Sequence, residues 1–344
     1  MTESLAFAES ADRRLQNFLI KRFKREIGET RQLTPDASTR EYFRVSWENQ
    51  TAIACIYPEP FAPAEQSYLD ATKLFLAADL PVARIYDFDG DLGVIILEDF
   101  GDTVLRQVLE ISSLSQRENL IDRSINLIAQ IQAATHTAFE LDSIASRLAF
   151  DREKLIWELD FFTKHYFESL RDKPLQSEMA ANLKAELSEV ASELAAQPRV
   201  LCHRDFHAAN LMIDESFGDL KIIDHQDARM GPASYDLVSL LLDRILEPPS
   251  EAWIAEKQRL FLKSRENLQL KSIEFADFTN EFRLQTIQRC LKAIGTFSYQ
   301  TAVRGKNDYE QYIEPMFAVI LQSAESLNRF QSLQKILKKE IKSN

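Results

Sequence analysis

Apolar positions Leu15, Phe18, Leu19 and Phe23 recur at three-to-four spacing and predict an amphipathic helix within residues 5–27. The period then shortens to two. Residues 42–47 alternate, Glu48-Asn49-Gln50 interrupts, and residues 51–57 resume, the pattern of a β-hairpin. Pro58, Pro60 and Pro63 close the second strand, because proline cannot donate to a ladder. A helix is expected over 64–78, with Leu69, Phe75 and Leu76 on one face. Strands are expected over 81–86 and 94–99 around an Asp89-Gly90-Asp91 turn. From about residue 103 helical periodicity dominates, and one β-like island at 200–224 interrupts it. A small β-rich lobe (residues 1–100) followed by a large, mainly helical lobe (101–344) is the organisation this order predicts. No internal repeat or low-complexity segment breaks it.

Composition narrows the picture. A chain of 344 residues exceeds one average core, in keeping with two lobes, and its 45% hydrophobic and 27% charged residues are those of a globular protein. Only 8 glycines and 11 prolines argue against a turn-rich sandwich. A formal charge of −12, with no long basic tract, makes nucleic acid and anionic membrane unexpected partners. Cys55, Cys202 and Cys290 are odd in number, far apart and set in apolar surroundings, which reads as buried thiols of a reducing compartment. No basic n-region with an apolar stretch opens the sequence, and no run nears the roughly 18 apolar residues of a membrane span. A cytoplasmic protein is the expectation.

The island at 200–224 carries the candidate chemistry. Val200-Leu201-Cys202 reads as a strand, followed by His203-Arg204-Asp205 in a loop and, four residues after Asp205, by Asn210. Two apolar triplets, 211–213 and 221–223, flank a polar turn, and Asp224 ends the second. Short strands joined by a tight turn bring Asn210 and Asp224 together at their open ends. An amide oxygen beside a carboxylate is a hard-oxygen site suited to Mg²⁺, and Asp205 would face a phosphate acceptor. His203, His207 and His225 admit a second reading as a zinc cluster, although that leaves the Asp205–Asn210–Asp224 spacing unexplained.

His203-Arg204-Asp205-x4-Asn210 resembles the catalytic loop of protein kinase-like enzymes, and His207 resembles the aminoglycoside phosphotransferase and choline kinase branch. Ile223-Asp224-His225 and Gly231-Pro232-x-x-Tyr235-Asp236 are similar to that branch's following elements. The resemblance implies an α+β, two-lobed protein kinase-like fold and an ATP-dependent small-molecule kinase. It implies Asp205 as the catalytic carboxylate, Asn210 and Asp224 as Mg²⁺ ligands, and His203 and Asp236 as structural support, with Asp236 bracing the catalytic loop. The segment Asp36-Ala37-Ser38-x-Arg40-x-Tyr42-Phe43-Arg44 resembles the subgroup of anomeric kinases acting on N-acetylmuramate and N-acetylglucosamine.

No lysine occurs from Glu26 to Thr72, so the usual phosphate-binding lysine of the small lobe is missing. Ser38, Arg40 and Arg44 are the candidates for the ATP phosphates, since a guanidinium clamps phosphate oxygens in a fork. Leu97 and Glu98 stand where the resemblance places the adenine-binding hinge. Glu158 matches the subgroup's substrate helix, His207 follows the catalytic Asp, and Arg289 lies on a C-terminal helix, able to meet an acidic substrate group or to brace the lobe. The cofactors implied are ATP and Mg²⁺, and the partner is a small hydroxyl acceptor. An aminoglycoside- or choline-type kinase and a nucleotide-binding pseudokinase module are the alternatives.

Overall fold

A computed structural model describes residues 9–24, 30–33, 39–214 and 218–343. The chain divides into two compact units, one of residues 1–111 with 209–227, the other of 112–208 with 228–344.

The first unit is built on an antiparallel sheet of β1 (Arg31–Leu33), β2 (Glu41–Trp47), β3 (Gln50–Ile56), β4 (Ile85–Asp89) and β5 (Val94–Glu98), in the order β1-β2-β3-β5-β4. The expected hairpin is β2–β3, paired from Glu41↔Ile56 to Trp47↔Gln50. Its two-residue turn places Glu48 at φ 52°. Period-two alternation divides the sheet's residues between two layers. Phe43, Val45, Trp47, Ala54, Val94 and Ile96 bury one face against Leu15, Phe18 and Leu19 of the Ala11–Phe23 helix. Cys55, Ile95 and Leu97 bury the other with Tyr68 of the Ser67–Ala77 helix.

Two strands and one boundary differ from expectation. The three-residue β1 is too short to leave a periodic signal, and the strand expected over 81–86 begins at Ile85, after an isolated bridge from Val82 to Ile222. The hairpin of β7 (Leu211–Ile213) and β8 (Leu220–Ile222) groups with the first unit, so the compact division is not a single cut near residue 100. Its anchors explain this. Val104 bridges Met212, Pro81 accepts from the Ile222 N–H, and His225 Nε2 lies 2.8 Å from Thr72 Oγ1 between the rings of Tyr68 and Phe75.

The second unit is helical around Phe275–Ala302, a helix of 28 residues buried on most sides, which encloses polar Glu281, Gln285, Gln288 and Arg289 along with its apolar positions. It lies against the Arg152–Thr163 helix so closely that a Cβ on Gly295 would sit 2.7 Å from the Phe162 Cα. β6 (Val200–Cys202) pairs with β9 (Arg229–Gly231), a strand that the sequence pattern did not reveal. All three cysteines are free and buried. Among the described residues no helix is long and apolar enough to cross a membrane.

A side chain at Gly295 must force two backbones apart. Gly295→Val is expected to lower unfolding free energy by about 1–3 kcal/mol, the usual cost of overpacking. Denaturant melts check it, and a neutral substitution would mean that the two helices separate freely.

Candidate active site

In the second unit, β6 delivers His203, Arg204 and Asp205 into a loop whose shape is held by one buried carboxylate. Asp236, in the first turn of the Tyr235–Leu242 helix, accepts from the His203 N–H at 2.7 Å and the Arg204 N–H at 3.0 Å. Arg204 sits at φ 87°, a left-handed conformation that an ordinary side chain adopts only when its surroundings enforce it. Burial lifts the Asp236 carboxyl to about 6, with His203 and the two N–H groups opposing a further rise. His203 is fully buried, its ring edge-on to Phe206.

Asp205 is ringed by cations. Its Oδ1 lies 2.9 Å from Lys292 Nζ and 3.4 Å from Arg289 Nη2, and its Oδ2 lies 3.7 Å from Arg204 Nε. Burial alone would push this carboxyl up. Lys292, Arg289 and Arg204 outweigh it and hold Asp205 well below the usual carboxylate range. Lys292 is itself held below an ordinary lysine by burial and by Arg289, which Asp205 and Glu158 only partly offset. Arg289 also donates to Ser239 Oγ at 3.0 Å and so braces Asp205 against the Tyr235–Leu242 helix. The role of Lys292 was not foreseen. The available signal was its place three residues after Arg289, which puts both on one helix face.

Glu158 is 1% exposed. Its Oε2 accepts from Gln288 Nε2 at 2.9 Å, and Gln288 in turn accepts from Gln285. Glu158 Oε1 has no hydrogen-bond partner among the described residues, although Lys154 Nζ stands 3.7 Å away. The His207 N–H reaches the Asp205 carbonyl at 3.0 Å. Burial pushes the His207 imidazole down, and its enclosed Nδ1 has no hydrogen-bond partner among the described residues.

The first unit holds the other residues expected at the site. Asn210 and Asp224 flank the open end of the β7–β8 hairpin, where the Ile223 N–H donates to the Asn210 carbonyl. Asn210 Nδ2 is 3.5 Å from Asp224 Oδ2, and Asp224 Oδ1 accepts from Gln226 at 2.8 Å and Arg40 at 3.1 Å. A carboxamide and a carboxylate so close, on a half-exposed Asp224, fit a cation that takes few protein ligands and completes its shell with phosphate and water. Among the described residues no group of three or more His, Cys, Asp and Glu side chains is placed to hold a metal, so the zinc alternative finds no support there.

Arg40 and Arg44 differ sharply. Arg40 lies beside Asp224 with its guanidinium 5.8 Å from the ring centroids of Tyr42 and Tyr57. Arg44 is engaged by Asp99 at 2.6 and 2.9 Å, by Asp102 at 2.8 Å and by the Gly101 carbonyl, so its fork ties β2 to the segment after β5. Leu97 is buried in β5, and Glu98 exchanges hydrogen bonds with the Arg84 backbone through its N–H and its carboxylate. Ser38 lies outside the described residues.

Comparison with known proteins identifies the family. A family described as "Phosphotransferase enzyme family" matches residues 29–270, and the chain belongs to it. The resemblance read from the catalytic loop is therefore borne out, together with a kinase-type chemistry. The chain is 29% identical to an N-acetylmuramate/N-acetylglucosamine kinase of Neisseria meningitidis, over 81% of this chain and 80% of the relative. It is 28% identical to a kinase of the same name from Pseudomonas aeruginosa, over 80% and 77%. Among solved structures, the choline kinase LicA of Streptococcus pneumoniae has a TM-score of 0.59 at 14% identity, covering 92% of this chain and 99% of that one. The aminoglycoside phosphotransferase APH(4)-Ia, solved with AMP-PNP and hygromycin B, has a TM-score of 0.56 at 16% identity, covering 90% and 98%. These neighbours share the α+β, two-lobed fold.

A depressed carboxyl stays charged as pH falls, so its favourable pairing is fully present above about 3.9 and is lost only on descending through the folded value. Removing one cation must raise that folded value. In Lys292→Met the acid limb of the kcat/KM profile is expected at higher pH than in the parent enzyme, and Lys292→Arg should restore it. Superimposable limbs in parent and Met variant would show that Lys292 does not set the charge of Asp205.

Proposed function

We propose that this protein transfers the γ-phosphoryl group of ATP to a hydroxyl of an N-acetylated amino sugar, of the N-acetylmuramate and N-acetylglucosamine type, at the anomeric position. The observation that carries the acceptor class is the charge around Asp205. Arg204, Arg289 and Lys292 adjoin Asp205 and Lys154 adjoins Glu158, four cations against the carboxylates Asp205, Glu158 and Asp243 in a chain of net charge −12. A polycationic aminoglycoside, or choline, would require the opposite field. Neutral and acidic sugars are compatible with it, and the names of the relatives point the same way.

Asp205 accepts a hydrogen bond from the acceptor hydroxyl and takes its proton as the oxygen attacks phosphorus and the bond to ADP breaks. A carboxylate held this acidic is a weak base. It suits a loose transition state, in which the hydroxyl proton leaves late and orientation matters more than base strength. Arg289 and Lys292 hold the carboxylate in place. Asn210 and Asp224 are the residues to hold Mg²⁺, which when bound would offset charge on the phosphates. Arg40, which lies beside the candidate metal ligand Asp224, is the candidate for the ATP tail, whereas Arg44 ties β2 to Asp99 and Asp102. Glu158 Oε1, buried and without a hydrogen-bond partner among the described residues, is the candidate to accept from an acceptor hydroxyl or amide N–H.

ATP consumption measured with amino sugars, choline and an aminoglycoside tests the proposal. Turnover is expected with the N-acetylated sugars alone, and Asp205→Asn should reduce it by about 10²–10⁴-fold, the range for a lost general base, while ATP still binds. Tight ATP binding without turnover on any acceptor would instead identify a nucleotide-binding module. Arg40→Ala is expected to raise the KM for ATP several-fold, and an unchanged value would remove Arg40 from the phosphate site.

A further inference from the structure

Lys154 stands out because nothing in the phosphoryl-transfer chemistry requires it. The side chain of Asp151 caps the Arg152–Thr163 helix by accepting from the Lys154 N–H at 2.8 Å, which fixes where the helix begins and hence which way Lys154 projects. Its ammonium lies 4.0 Å from the ring centroid of Trp157 and 3.7 Å from Glu158 Oε1. Trp157 is 58% exposed, an unusual placement for the largest apolar side chain. Phe161, one turn on, stands 5.9 Å from it and extends the aromatic surface.

Three kinds of group thus adjoin on this helix: an exposed indole, a buried carboxylate oxygen with no hydrogen-bond partner among the described residues, and a lysine. Cations and carboxylates alternate around it. Burial and the charges of Arg204, Arg229 and Lys292 disfavour protonated Lys154, with Glu158 opposing them. An anion brought by the substrate would relieve the mutual repulsion of Lys154 and Lys292. It would gain most beside the indole, where water is partly excluded.

We propose that Lys154 is a specificity-determining residue that binds a carboxylate carried by the acceptor, so that an amino sugar bearing an acid side arm is preferred over its neutral counterpart. The inference rests on the amino-sugar reading above. The sugar ring lies on Trp157, a hydroxyl or amide N–H of the sugar donates to Glu158 Oε1, and the acid arm meets Lys154. Lys154 takes no part in proton transfer. Its contribution is to KM rather than kcat, because the carboxylate is bound equally in ground and transition states.

The experiment compares N-acetylmuramate with N-acetylglucosamine in the parent enzyme, Lys154→Met and Lys154→Arg, measuring kcat and KM for each sugar and KM for ATP. The ratio of kcat/KM for the acidic over the neutral sugar should fall about tenfold in Lys154→Met, the factor for losing one partly buried charge contact, through KM of the acidic sugar. Lys154→Arg should recover most of it. A ratio that does not move while both sugars are still phosphorylated overturns the inference and leaves the amino-sugar reading standing. A rise in KM for ATP with equal loss on both sugars also overturns it, because the cation would then serve the phosphates. If calorimetry shows that the parent enzyme binds neither sugar, the amino-sugar reading and this inference fall together.

Discussion

The path of the loop that carries Asp205 depends on the two hydrogen bonds by which the buried Asp236 carboxylate holds the His203 and Arg204 backbone. Two N–H groups aimed at one carboxylate define the loop's path more tightly than side-chain packing could. They also maintain Arg204 at φ 87°, a conformation that otherwise costs of order 1–3 kcal/mol. The turn so produced points Asp205 at the Phe275–Ala302 helix, where Arg289 and Lys292 meet it. Burial of Asp236 carries its own cost, visible in a carboxyl raised to about 6, and the two N–H donors offset part of it. The loop thus trades stability for the aim of a single carboxylate.

Charge follows a similar economy. The chain is acidic overall, yet the surroundings of Asp205 are not. Buried like charges repel strongly, so the gathering of Lys154, Arg204, Arg289 and Lys292 persists only because Asp205, Glu158 and Asp243 are interleaved with them. In the first unit the same device appears with opposite emphasis. Asp224 is drawn between Arg40 and Gln226, and Arg44 gathers Asp99 and Asp102.

Much of this was legible in the sequence where the signal was local. The β2–β3 hairpin follows from two alternating runs around Glu48-Asn49, and the meeting of Asn210 with Asp224 follows from two apolar triplets around one turn. The brace from Asp236 was expected from resemblance to a known catalytic loop and is seen as two hydrogen bonds. β1 and β9 are three residues long and, unlike β6 and β7, hold no apolar run, which hid them. Contacts made across long sequence separations were also hidden. Arg40 reaches Asp224 over 184 positions, and Lys292 reaches Asp205 over 87. Nothing in a lysine's immediate neighbours records which carboxylate it will meet. Arg44 shows the converse, since its local motif suggested phosphate while its tertiary partners are Asp99 and Asp102.

Gly295 brings the Phe275–Ala302 and Arg152–Thr163 helices into backbone contact, and these helices carry Gln288, Arg289 and Lys292 on one side and Lys154, Trp157 and Glu158 on the other. Two helices joined at van der Waals distance have no room to slide. Divergence in what such an enzyme accepts must therefore proceed by exchanging side chains on a fixed frame, one charge or ring at a time, rather than by remodelling the frame.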